Sequence, residues 1–352
     1  MKRLALIAAL FTFVSAPAFA ADEENVEPGF NEQTFKGLEM RSIGPAFMSG
    51  RISDIAIDPN DQSTWYVGVG SGGIWKTVNG GTTWETIFEN EDAYSIGCVT
   101  IDPNNSNTVW VGTGENISGR HVGYGAGVYL SLDGGKNWEN MGLEDSEHIG
   151  MIRVDPRDSN TVFVAAQGPL WSGGGERGLF KSTDGGENWR KVLGDGHGNS
   201  ELDDRYTGVS EVYMDPRNPD VMYAVTWQRF RNVAVLLDGG PATGIHKSED
   251  GGETWRELTE GLPEEIMAKT GLAISPQNPD VLYATIELAN RTGSMYRSEN
   301  GGESWVKGAD YAPGGTGPHY YNELWPSPHQ FDRVYHADVN LHVTEDGGKT
   351  MT

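Results

Sequence analysis

Cysteine is nearly absent: Cys98 is the only one in 352 residues. No internal disulfide can form, so packing alone must hold the fold. Basic side chains are also scarce, with 26 Lys and Arg against 50 Asp and Glu and a formal net charge of −24. Such a surface repels nucleic acid and anionic lipid, and no nucleic-acid partner is expected. Beyond the first twenty residues no apolar run approaches the roughly 20 residues of a membrane helix, so no membrane insertion is expected. Helical periodicity is missing as well, which points to an all-β fold.

The chain opens with MKRLALIAALFTFVSAPAFA. Lys2 and Arg3, an apolar stretch to Val14 and the small-residue end at Ala18-Phe19-Ala20 read as a secretory signal peptide over 1–20. An exported protein, periplasmic or secreted, is the expectation. Residues 21–37 form an N-terminal segment, and 38–352 carry repeats.

One phrase recurs six times: TVNGGTTW (77–84), SLDGGKNW (131–138), STDGGENW (182–189), SEDGGETW (248–255), SENGGESW (298–305) and TEDGGKTM (344–351). Before each lies a short apolar strand such as GIWKT or GLFKS, and before that another such as STWYVGVG or NTVFVAAQG. An Asp-Pro turn (IAIDPND, IRVDPRD) closes a third, and the fourth follows the tryptophan, as in WRKVL. Four-stranded units at this spacing read as blades of a β-propeller. Six blades are visible. The last phrase ends in Met351 with its fourth strand unwritten, which predicts a longer parent protein, and Leu38–Ile43 reads as an unpaired strand able to close a later blade.

The phrase S/T-x-D/N-x-G-x-x-W resembles the Asp-box of BNR-repeat, sialidase-like propellers. The opening MRSIGPAFMSGRISDIAIDP and the segment YVGVGSGGIWKT resemble bacterial sortilin-type members of that superfamily. The resemblance implies a propeller that binds peptide or protein within or across its channel. Xyloglucan-degrading propellers with this box place an acid just before the glycine pair after the second strand of the first blade. This chain has Gly70-Ser71-Gly72-Gly73 there. Sialidases carry an Arg-Ile-Pro strand and an arginine triad, whereas the nearest phrase here is Arg41-Ser42-Ile43-Gly44-Pro45.

The boxes themselves read as staples, because Asp-Gly-Gly closes a hairpin by backbone bonding and glycine conformation. Both the box turns and the Asp-Pro turns lie on one rim, so the long connections lie on the other. Those are 115–127, 168–178 and 227–244 within blades, and 193–210 and 311–325 between them. Loops on a rigid scaffold are where function concentrates. The expected site is therefore an exposed surface on the loop-rich rim, with Trp171, Trp227 and Trp325 as anchors, Glu115, Arg120, Arg229 and Arg231 as charged contacts, and His121, Tyr124, Tyr320 and Tyr321 as hydrogen-bonding groups.

Its expected ligand is a peptide, a protein or a carbohydrate. The alternative is a glycoside hydrolase, which needs two carboxylates; rim candidates are Glu115, Glu147, Glu176, Asp203, Asp204 and Glu323. A third reading is an assembly factor. No cofactor or metal centre is expected, although Asp195, Asn199, Asp203 and Asp204 supply oxygen ligands of the kind calcium takes, with a solvated acidic loop as the alternative.

Overall fold

A turn that closes on itself decides where the hairpins form. The Ser131 hydroxyl donates to Asp133 Oδ1 at 2.9 Å and accepts the Gly135 amide at 2.8 Å, while Asp133 Oδ1 accepts the amides of Lys136 and Asn137 at 3.0 Å each. Gly134 and Gly135 take φ of 75° and 90°, a region closed to most side chains. The same closure recurs at Ser182–Asp184, Ser248–Asp250, Ser298–Asn300 and Thr344–Asp346. The tryptophan that follows reaches the preceding blade: Trp138 Nε1 donates to the Ile87 carbonyl and Trp189 Nε1 to that of Met141, both at 2.7 Å.

The computed structural model describes residues 50–194, 205–310 and 320–352. The chain divides into Met1–Ala46 and Phe47–Thr352, and every described residue belongs to the second. The signal peptide, the strand at 38–43 and the acidic stretch with Asp195, Asn199, Asp203 and Asp204 lie outside the described residues.

Six antiparallel sheets make a β-propeller. Blade 1 holds β1 (Ile52–Ile57), β2 (Trp65–Val69), β3 (Gly73–Thr77) and β4 (Glu85–Thr86). Blade 2 holds β5 (Ile96–Asp102), β6 (Asn105–Thr113), β7 (Val128–Ser131) and β8 (Glu139–Asn140). Blade 3 holds β9 (Ile149–Asp155), β10 (Asp158–Ala166), β11 (Gly178–Ser182) and β12 (Arg190–Leu193). Blade 4 holds β13 (Thr207–Asp215), β14 (Asn218–Arg231), β16 (Gly244–Ser248) and β17 (Arg256–Leu258), with β15 (Leu236–Asp238) folded back on the long β14. Blade 5 holds β18 (Met267–Ile274), β19 (Leu282–Leu288), β20 (Gly293–Ser298) and β21 (Val306–Asp310). In blade 6 the described strands are β22 (Glu323–Pro326), β23 (Val334–Ala337) and β24 (Leu341–Thr344).

First strands stand side by side around an axis, in the order β1, β5, β9, β13, β18 and β22. Their far ends share one turn chemistry: Asp58, Asp102, Asp155 and Asp215 each accept the amide two residues on at 2.8 Å. Apolar side chains fill the spaces between blades, as where Tyr66, Ile74, Val99, Val109 and Tyr129 pack between blades 1 and 2. The core is thus a set of inter-blade layers, and the axis is left to other residues.

Candidate functional site

An innermost strand has no neighbour on its axial side, so its amides there need other acceptors. Acidic side chains supply two of them. Asp54 Oδ2 accepts the Val99 amide at 2.9 Å, and Glu211 Oε2 accepts the Leu272 amide at 2.8 Å. Glu323, at the start of β22, makes no such bond; its Oε1 accepts from Asn116 Nδ2 at 3.3 Å.

Asp54 and Glu323 face a cavity of about 550 Å³ on the axis, lined by residues from the first strands of all six blades. Asp54, Asn116, Arg153, Tyr213, Glu323 and Trp325 bring its polar and aromatic chemistry. Pro59, Pro103, Pro216 and Pro276, from the short turns after four of those strands, frame one end. Trp325 is 53% exposed and lies two residues beyond Glu323, on the same face of β22.

Burial dominates the electrostatics. It lifts Glu323 to about 7, with Asp54 pushing the same way and Lys269 opposing. Glu211 rises to about 8 by burial, against the Leu272 amide and with help from Glu323. Asp54 is also raised by burial, but the Val99 amide, Arg153 and the Ile55 amide pull it back. Burial lowers Lys269, against the opposing pull of Glu323, Glu287 and Glu211. The result is two half-buried carboxylates on one cavity with unequal environments: Asp54 braced by amides and a guanidinium, Glu323 held toward its protonated form.

The opposite end of the axis is crossed by protein. Arg229 donates from Nη1 to the Ile117 carbonyl and from Nη2 to the Gly168 carbonyl, both at 2.9 Å. Arg231 Nη1 donates to the Ser118 carbonyl at 2.6 Å. Glu115 is fully buried and takes both arms of the Arg51 guanidinium, Nη2 to Oε2 at 2.5 Å, and the Tyr321 hydroxyl at 3.0 Å. Gly70 makes room for this, since a Cβ there would lie 2.7 Å from the Glu115 carboxylate. Over the top, Ile117, Val122 and Leu170 form a small apolar cluster with Trp171 and Tyr321 against it.

Three of the residues expected to be exposed contacts on the rim are therefore buried. Trp227, Arg229 and Arg231 are 1%, 0% and 2% exposed. The reason is that β14 runs on to Arg231, placing them at alternate positions on one strand face, where Trp227 Nε1 donates to Asp238 at 3.2 Å and both arginines bond loop carbonyls. Glu115, expected as a rim acid, is enclosed in its ion pair. Arg120, His121 and Tyr124 are exposed on the loop of blade 2, with His121 Nε2 2.8 Å from Arg51 Nη1. Tyr320 is exposed and its carbonyl accepts from Lys269 Nζ at 2.6 Å; Trp171 and Tyr321 are half-buried. Trp325 alone among the three tryptophans lines the cavity.

Asp54, Arg153, Glu211, Tyr213 and Lys269 were not singled out by sequence reasoning. Their signal was present as charged or phenolic residues inside strands otherwise apolar, as in ISDIAI and IGMIRVD. Only the ring reveals that they share an axis.

No protein-family model matches the chain. A xyloglucanase from a Paenibacillus species is 26% identical over 269 residues, which cover 75% of this chain and 23% of the relative. The chain thus spans about a quarter of that protein's length. Among solved structures, an ancestral GH74 enzyme superposes with a TM-score of 0.61 at 22% identity, covering 86% of this chain and 38% of the other. YCF48 from Cyanidioschyzon merolae gives a TM-score of 0.54 at 17% identity, with 88% and 86% covered. Both structural likenesses are likenesses of fold.

Proposed function

We propose that this propeller is a glycoside hydrolase acting on a polysaccharide of the xyloglucan type, with the axial cavity as its active site. The observation that carries the proposal is the pair Asp54 and Glu323, two half-buried carboxylates on one cavity, both raised by burial, of which Asp54 alone is braced by backbone amides. Two carboxylates on one cavity in unequal surroundings are the usual basis for dividing acid and base work. The 26% identity to a xyloglucanase supports carbohydrate as the substrate class.

In this reading Glu323 gives its proton to the glycosidic oxygen as the bond to the anomeric carbon breaks. Asp54, both of whose oxygens are occupied by backbone amides, takes a proton from the attacking water rather than attacking itself. One water is consumed, its hydroxyl ending on the anomeric carbon, so the product anomer is inverted. Trp325 offers an apolar face for a sugar ring.

The test is reducing-sugar release from xyloglucan by the full chain. Glu323→Gln and Asp54→Asn should each lower the rate by about 10²–10⁴ in a protein that remains folded at the assay pH. Because Glu323 must carry its proton and its pKa is about 7, activity should decline as pH rises through that value. Retention of xyloglucan without any release of sugar would overturn the hydrolase reading.

A further inference from the structure

Blades 2 and 4 are not neighbours in the ring, and neither are blades 2 and 6. Yet the segment just after β6 bonds to both. Ile117 of blade 2 accepts from Arg229 of blade 4, while Glu115 and Asn116 of blade 2 bond Tyr321 and Glu323 at the entry to blade 6. Bonds between non-adjacent blades converge over the axis, so Glu115–Ile117 lies across the channel. Blade 3 joins the same crossing, with the Gln167 amide nitrogen 3.4 Å from the Asn116 carbonyl and the Leu170 carbonyl accepting the Arg231 amide at 2.9 Å.

The crossing is firm. Asn116 is itself part of the cavity lining, which makes this segment the cavity's floor. Beyond the floor lies the apolar cluster of Ile117, Val122 and Leu170, all 6% exposed or less. Buried guanidinium groups hold the carbonyls around it, Arg229 those of Ile117 and Gly168 and Arg177 that of Gln167, and charge-assisted bonds of that kind are among the strongest available to a loop. Among the described residues, the other end of the cavity is framed by short proline turns and by Trp325.

We infer that the channel is a blind pocket, entered past the proline turns, and that it receives the end of a glycan chain rather than its middle. The inference rests on the hydrolase reading for the identity of the ligand. A volume of about 550 Å³ lies within the range of roughly 300–1,000 Å³ that holds small ligands, so a chain end of a few sugars fits and a through-running polymer does not. Cleavage between Glu323 and Asp54 then releases short products from one terminus.

Two measurements keep this distinguishable from the hydrolase reading itself. Titration of the Glu323→Gln protein with a linear β-glucan oligosaccharide and with a cyclic β-glucan of similar size should show binding of the linear ligand and at least tenfold weaker binding of the cyclic one. Equal binding of the two overturns the blind pocket, and binding of neither overturns both readings. With the unaltered protein and polymeric xyloglucan, reducing sugar should accumulate while solution viscosity stays near its starting value. A viscosity that collapses early would mean cleavage within the chain, overturning end-on entry while leaving the hydrolase standing.

Discussion

The two ends of the channel are built from opposite materials. At one end long connections and the extended β14 turn inward and bond to one another; at the other, short proline turns stay out of the way. Length and polarity in a loop usually suggest a ligand surface. Here the long loops have their backbone carbonyls taken up from within the protein, as Arg229 of β14 does with Ile117 and Gly168, and the open end belongs to the least elaborate turns. Loop length measures what a loop must span, and spanning the axis requires length.

The largest expected effect separates these roles directly. Arg229→Ala removes two buried charge-assisted bonds and should destabilise the fold by about 3–5 kcal/mol, read from denaturant unfolding. If Arg229 served a ligand instead, stability would survive and affinity would fall.

Next is a pH effect at Glu211, a buried acid of β13 that braces β18. Its folded-state value of about 8 stands above its ordinary 4.5, so the folded chain keeps a proton that the unfolded chain has released between those limits. Stability contributed by this group is full below the ordinary value and is lost as pH rises through about 8. Glu211→Gln keeps the bond to the Leu272 amide without the charge. It should raise stability at pH 9 by roughly 2–4 kcal/mol and change it little at pH 4, measured by unfolding at both. An equal effect at both pH values would show that Glu211 does not titrate in the folded chain as described.

Smaller again is Trp325→Ala at the open end. This exposed ring should contribute about 1 kcal/mol to oligosaccharide binding, roughly a fivefold loss of affinity, and nothing measurable to folding. A change in stability without a change in affinity would reverse the assignment of the two ends.

Much of the fold was legible in the chain because its signals are local. Asp133 and its two glycines define a hairpin within eight residues, and the spacing of six such phrases implies blades without any long-range information. Trp325 and Glu323 were named from the sequence as residues of the loop-rich rim, whereas the structure puts both on β22 in the cavity wall. Asp54, Arg153 and Lys269 were hidden because each looks like an isolated charge in an inner strand, and only ring closure brings them to one cavity or one electrostatic field. The burial of Trp227, Arg229 and Arg231 was missed for a related reason: β14 continues for 14 residues, so what read as a loop is a strand with alternating faces.

The most direct test of the central claim is a crystal structure of the Glu323→Gln protein soaked with a short xyloglucan oligosaccharide. The expected result is sugar in the axial cavity, one ring against Trp325 and the scissile oxygen between residue 323 and Asp54. Sugar held on the loop-rich end, beside Arg120, His121 and Tyr124 with the axial cavity filled only by water, would contradict it.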